Sequence, residues 1–168
     1  TGVYGDCGGA WADESAQIGT GRRTARAEAD ADWLRLGARV FRLPGIYGPG
    51  RSALERVHEG KAHRIDLTEQ VFSRVHVDDI ASAIIASFAS AATGAFNVAD
   101  DWPASQNCVI EEAARLIGLP SPPVVALDTL SPMARSFYAE NRRVANGRAK
   151  RLLGWAPSYR DYRSGLVA

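Results

Sequence analysis

The sequence has little of what marks a secreted, metal-binding or membrane-spanning protein. Its two cysteines, Cys7 and Cys108, sit in unrelated contexts without metal-type spacing, which disfavours a disulfide without ruling one out and argues against a zinc site. The longest apolar stretch, residues 80–92, is interrupted by serines and too short to cross a bilayer, and no signal-peptide pattern opens the chain. Charge of one sign is missing as well. Twenty Lys and Arg against 19 Asp and Glu leave a net charge of +1, scattered along the chain, which gives no long-range field for nucleic acid or an anionic membrane. A reduced, cytoplasmic setting and a small-molecule partner, with no nucleic acid and no membrane, are the plain reading. No Gly-rich phosphate loop of the G-x-G-x-x-G type opens a helix anywhere in the 168 residues, so no dinucleotide diphosphate site is assigned.

What is present is an ordinary globular composition, 46% hydrophobic and 23% charged, arranged around residues 39–50, RVFRLPGIYGPG. Val40, Phe41 and Leu43 supply strand-forming bulk, and the Pro and Gly residues that follow are expected to end regular structure in a loop. A strand ending in such a loop is how open α/β sheets build ligand crevices.

Before it, residues 6–21 read as a long surface loop. Residues 22–36 read as a helix closed by Gly37, with Ala25, Ala29, Trp33 and Leu36 as its apolar stripe and with Arg26–Asp30 and Asp32–Arg35 surface pairs. After it, Ser52 and Glu55 form a capping box for a short helix that Gly60 ends. Residues 71–77 alternate like a strand, with Phe72, Arg74 and His76 on one face. Asp78 and Asp79 suit the start of the next helix, whose expected buried stripe is Ile80, Ile84, Phe88 and Ala91. A strand over 95–99, a helix carrying Val109, Ala113, Leu116 and Ile117, a helix opened by Ser131 and Pro132, and one from Asn146 to Gly154 complete the chain. Strand-helix alternation calls for an α/β fold with a parallel sheet. Residues 1–118 form its main part and residues 119–168 a smaller, mostly helical lobe.

Candidate site residues follow from this layout. Arg74 and His76 have two readings each, facing a cleft or serving the turn into the next helix; for His76 the structural role is favoured. Capping explains Asp78 and Asp79 better than acid/base chemistry. Arg135, Tyr138 and Arg142 share one face at i, i+3, i+7 spacing, either as a clamp for a substrate carboxylate or phosphate or as a solvated surface. His58 and His63 add no metal constellation, so no metal is assigned.

Six segments, TGVYG at 1–5, Ala27-Glu28, RLPGIYGP at 42–49, HVDD at 76–79, Asn97-Val98 and LGWAP at 153–157, resemble in order the extended short-chain dehydrogenase/reductases, the NAD(P)-dependent epimerase/dehydratase family acting mainly on nucleotide sugars. Residues 131–144 resemble an atypical subgroup. The resemblance implies the C-terminal portion of a Rossmann-type sheet, with the Gly-rich half expected before residue 1 and the family's catalytic Ser or Thr one residue before Thr1. It implies NAD or NADP as cofactor, with Thr1, Pro44, Gly45, Ile46 and Tyr47 at the cofactor. Arg74, Arg135, Tyr138 and Arg142 are then the substrate-side candidates. An open sheet edge would favour association, in the simplest case a homodimer.

The sequence departs from the family at its centre. The positions of the catalytic Tyr and Lys hold Thr20 and Thr24, neither of which transfers a proton at neutral pH or carries charge, so the standard mechanism would need Tyr4, Tyr47 or Tyr138 instead. The Arg that contacts the substrate diphosphate in many members is replaced by Phe72, with Arg74 nearby. Two functions remain open, an oxidoreductase with a displaced acid/base and a catalytically silent NAD(P)-binding or sensing protein.

Overall fold

Strands are interleaved with helices along the chain, as the sequence pattern implies, although not in strict alternation. The computed structural model describes residues 2–21 and 24–168, so the expectation at Thr1 lies outside the described residues. In order the elements are β1 (Trp11–Ala12), α1 (Thr24–Arg35), β2 (Arg39–Arg42), β3 (Gly45–Tyr47), α2 (Ala53–His58), β4 (Arg64–Ile65), β5 (Arg74–His76), α3 (Val77–Phe88), β6 (Gly94–Asn97), α4 (Gln106–Leu116), β7 (Val124–Val125), α5 (Pro132–Tyr138), β8 (Arg143–Val144), α6 (Gly147–Leu153) and α7 (Tyr162–Leu166). Four parallel pairs hold these strands: β1 with β8, β2 with β6, β3 with β5, and β4 with β7.

The segment 39–50 differs from its sequence reading. Pro44 interrupts the strand without ending it, because Pro lacks the donor that a continuous ladder needs. The chain resumes at once as β3. Its first half therefore pairs with β6, Phe41 opposite Phe96, and its second half with β5, Ile46 opposite Val75. Phe96, Val75 and Val98 are fully buried there and pack with Leu153 and Trp155. The stretch 71–77 is shorter as a strand than its alternation suggests: Phe72 makes only an isolated bridge to Ala104, and Val77 already belongs to α3. The loop 6–21 carries β1, which β8 captures.

Local start and stop signals act as written in the sequence. Ser52 and Glu55 make the reciprocal capping box of α2, and Ser131 caps α5 with Pro132 in its first turn. Gly154 ends α6 at φ +63, a conformation a side chain would strain.

The apolar stripes of α1 and α3 are corrections. On α1 the buried residues are Ala27 and Asp30, while Trp33 and Leu36 are 58% and 78% exposed. Asp30 pairs with Arg42 rather than Arg26: Arg42 donates from Nε and Nη2 to its two carboxylate oxygens at 2.8 and 2.7 Å. The same guanidinium donates to the Tyr4 hydroxyl at 2.9 Å, and Tyr4 donates to Asn97 Oδ1 at 2.8 Å. A charge pair, not an apolar stripe, decides which way α1 faces. On α3 the buried residues are Asp79, Ala83 and Ser87, and Phe88 points to solvent.

Replacing Asp30 with Ala leaves the buried Arg42 charge without its carboxylate. Urea unfolding is expected to show a loss of about 3–5 kcal/mol; a loss below about 1 kcal/mol would mean that the pair does not hold α1 in place.

Candidate functional site

The β2–β3 run, the start of β5 and helices α2, α4, α5 and α7 enclose a cleft of about 1250 Å³. Pro44, Gly45, Ile46 and Tyr47 all line it, as do Arg74, Tyr138 and Arg142. Arg135 is placed elsewhere: it is exposed on α5 and does not reach the cleft. The supposed shared face fails because α5 ends at Tyr138, so Arg142 is not on the helix at all.

Two of the sequence-predicted cations are already engaged. Arg74 is almost fully buried, and its Nη1 donates to the carbonyls of Phe72 and Ala104 at 2.9 and 2.8 Å while Nη2 reaches Gln106 Oε1 at 3.1 Å. Burial holds its pKa below the usual value, with Asp100 opposing that shift. Arg142 donates to Glu140 Oε2 at 2.9 Å and to the Gly5 carbonyl at 3.1 Å. A cation that sequence reasoning missed is Arg56, exposed on α2 and in the cleft lining, whose side chain has no hydrogen-bond or ion-pair partner among the described residues. Its signal was the capping box, which fixes α2 and leaves position 56 beside the buried Val57. Phe72, Met133 and Phe137 also line the cleft, and the i, i+4 spacing of the last two was the available clue.

The tyrosines separate clearly. Tyr4 is buried in the Arg42 network, and burial raises its pKa despite that cation. Tyr47 places its ring edge against His76, its hydroxyl donates to the Asp161 carbonyl at 3.3 Å, and burial with the nearby Asp100, Asp79 and Asp161 holds its pKa high. Helix α7 presses so closely on this ring that Gly165 has no room for a Cβ. Tyr138 is half-buried, edge-on to the Phe72 ring at 5.7 Å between centroids. Burial raises its pKa, and the charges of Arg56 and Arg74 act the other way. Thr20 and Thr24 are exposed and do not line the cleft.

His76 takes the structural role favoured for it. It is the N-cap of α3, a correction to the assignment of Asp78 and Asp79 as caps: its Nδ1 accepts from the Asp78 amide at 3.3 Å. Asp79 instead accepts from the amides of Ser158 and Tyr159 at 2.7 and 3.1 Å, joining the HVDD segment to the chain just after LGWAP. Among the described residues no cluster of His, Cys, Asp and Glu has a metal-holding arrangement, and no helix is long and apolar enough to cross a membrane.

Behind the cleft wall, Asp100 is buried with neither carboxylate oxygen hydrogen-bonded. Burial pushes its pKa up to about 8, with Arg74 opposing the rise. Because the ordinary value is 3.8, the folded state keeps a proton that the unfolded chain releases across that window. Stability is therefore expected to fall by up to about 1.4 kcal/mol per pH unit as pH rises from about 4 to about 8, then level off. Melting curves of Asp100→Asn against pH should lack this slope, and a slope equal to that of the unmodified protein would disprove the assignment.

No protein-family model matches the chain. A curated relative, a 3-diazoavenalumate denitrifying reductase from a Streptomyces species, is 34% identical over 158 residues, covering 85% of this chain and 52% of that protein. The chain thus spans about half the length of the curated relative it matches. A solved protein of unknown function from Silicibacter pomeroyi is 48% identical, with a TM-score of 0.93 over 100% of this chain and 62% of its own. The dTDP-glucose 4,6-dehydratase of Bacillus anthracis, solved with NAD, has a TM-score of 0.73 at 21% identity over 98% of this chain and 56% of its own. Solved neighbours of this fold hold NAD or NADPH. The chain has the α/β fold of the extended short-chain dehydrogenase/reductases, the NAD-dependent epimerase/dehydratase family, and corresponds to the C-terminal part of that fold.

Proposed function

We propose that the chain supplies the substrate-facing side of an NAD(P)-dependent oxidoreductase of the epimerase/dehydratase type, acting as a reductase on a small anionic substrate. The observation that carries this reading is the meeting of the PGIY segment, residues 44–47, with α2 and α5 around one cleft. Gly45 is exposed in that wall, and the missing side chain leaves backbone open to a flat ring. Pro44, Gly45, Ile46 and Tyr47 would wall the nicotinamide, whose contribution when bound is hydride. Residues 119–168 would form the substrate lobe, through α5.

The nucleotide-sugar class finds support in the sugar-nucleotide enzymes among the solved structures of this fold. The Tyr–Lys pair used with such substrates has Thr20 and Thr24 at its positions, both away from the cleft. That departure suits a reduction that makes no alkoxide. A diazonium carbon that takes up hydride loses dinitrogen in the same exchange and forms no hydroxyl, so no phenol has to donate a proton. The name of the curated relative, a denitrifying reductase of a diazo compound, supports this class of reaction. The same two threonines favour a second reading, a silent NAD(P)-binding or sensing protein that uses the same cleft.

In the full-length protein, NADH or NADPH titrated by fluorescence or calorimetry should bind, and Gly45→Trp should weaken that binding at least tenfold by filling the wall. Undiminished binding would remove the nicotinamide assignment. Binding without turnover of any diazo or nucleotide-sugar substrate would leave the silent reading.

A further inference from the structure

Two polar groups that line the cleft from different helices make no hydrogen bond or ion pair among the described residues. Arg56 projects from α2, and its guanidinium makes no hydrogen bond or ion pair among the described residues. Tyr138 stands at the end of α5, and its hydroxyl makes no hydrogen bond among the described residues. The two are close enough for the Arg56 charge to act on the phenol. A cation and a hydroxyl donor left free in this way, while Arg74 and Arg142 are tied to carbonyls and a carboxylate, form an acceptor-shaped gap.

The surroundings of this gap are apolar and aromatic. The Phe72 ring meets Tyr138 edge-on, and Met133 and Phe137 stand on α5 at 77% and 43% exposure, large apolar side chains turned to the cleft rather than to the core. Placing a doubly charged phosphate or a diphosphate against such a wall carries a heavier desolvation cost than placing a single carboxylate. Flat apolar ligand surface, in contrast, gains by covering these side chains.

We infer that Arg56 and Tyr138 bind the carboxylate of a planar aromatic acid, whose ring lies against Phe72, Met133 and Phe137. The inference rests on reading the cleft as the substrate site. It names the substrate class, aryl carboxylates, and assigns specificity to a residue of α2. Arg26 and Arg51 also line the cleft, from α1 and from the loop before α2, and both are exposed. Arg56 is equally exposed, and of these three arginines it is the one whose charge acts on the Tyr138 phenol.

Calorimetric titration of the protein with cinnamate and with UDP, each with and without NADH, tests this. Cinnamate is expected to bind at least tenfold more tightly than UDP. Arg56→Gln should weaken cinnamate at least tenfold, and Tyr138→Phe by about threefold, a loss typical of one neutral hydrogen bond. Both variants should keep the melting temperature of the unmodified protein, since Arg56 makes no hydrogen bond or ion pair among the described residues and Tyr138→Phe keeps the ring that meets Phe72. Absence of cinnamate binding, cinnamate affinity untouched by Arg56→Gln, or UDP binding more tightly in an Arg56-dependent way would each overturn the assignment. Cinnamate binding that depends on Arg56 in a protein that takes up no NADH would support this subsite and count against the oxidoreductase reading instead.

Discussion

The guanidinium of Arg42 is the constraint on which the placement of the other elements depends. A buried cation must be matched by acceptors, and here the match comes from Asp30 on α1 and from the Tyr4 hydroxyl, which in turn donates a hydrogen bond to Asn97 at the end of β6. Asn97 continues the chain of contacts by donating to the Ala145 carbonyl at 3.1 Å, and its amide donates to Glu14 at 2.7 Å. One charge thus ties the N-terminal loop, α1, β2, β6 and the segment before α6. Any rotation of α1 that exposed Asp30 would leave Arg42 in a low-polarity interior with an unmet charge. The fold has little freedom at this point.

A second tie fixes the other side of the cleft. Asp79 accepts two amides from 158–159, and Trp155 donates to Ser82 Oγ at 2.8 Å, so the start and middle of α3 hold the strand-like tail that leads to α7. That tail positions Gly165 against Tyr47. Two sequence segments nearly 80 residues apart, HVDD and LGWAP, are thereby parts of one joint. Neither touches the cleft directly. Their effect on the site passes through Tyr47, whose ring is held between His76 and α7 and so keeps the PGIY wall in one position.

Much of this was legible in the sequence wherever the cause is local. The capping box at Ser52 and Glu55, the Ser131–Pro132 start and the Gly154 stop each depend on a few adjacent residues, and each appears as read. The parallel α/β pattern was legible for the same reason, since alternation of elements is written along the chain. What periodicity missed were the faces. The stripe Ala25, Ala29, Trp33 and Leu36 is apolar and regular, yet the helix turns Asp30 inward because Arg42, 12 residues away, needs it. The HVDD segment misled in a similar manner: a carboxylate at a helix start is a good cap by local rules, and the tail at 158–159 claims Asp79 first. Arg135, Tyr138 and Arg142 were read as one helical face, and the chain leaves the helix after Tyr138.

The arginines show how function separates from structure in this chain. Seen in the sequence they are alike, and a cluster on α5 is as good a candidate as any other. In the fold they sort by whether their donors are used. Arg42 and Arg74 are consumed by the interior, Arg64 donates to Glu111 at 2.7 Å, and Arg142 answers Glu140. Arg56 is in a different position: exposed in the cleft lining, it has no hydrogen-bond or ion-pair partner among the described residues, so its donors are not spent on the fold. Phe72 stands in that lining, with its ring edge-on to Tyr138.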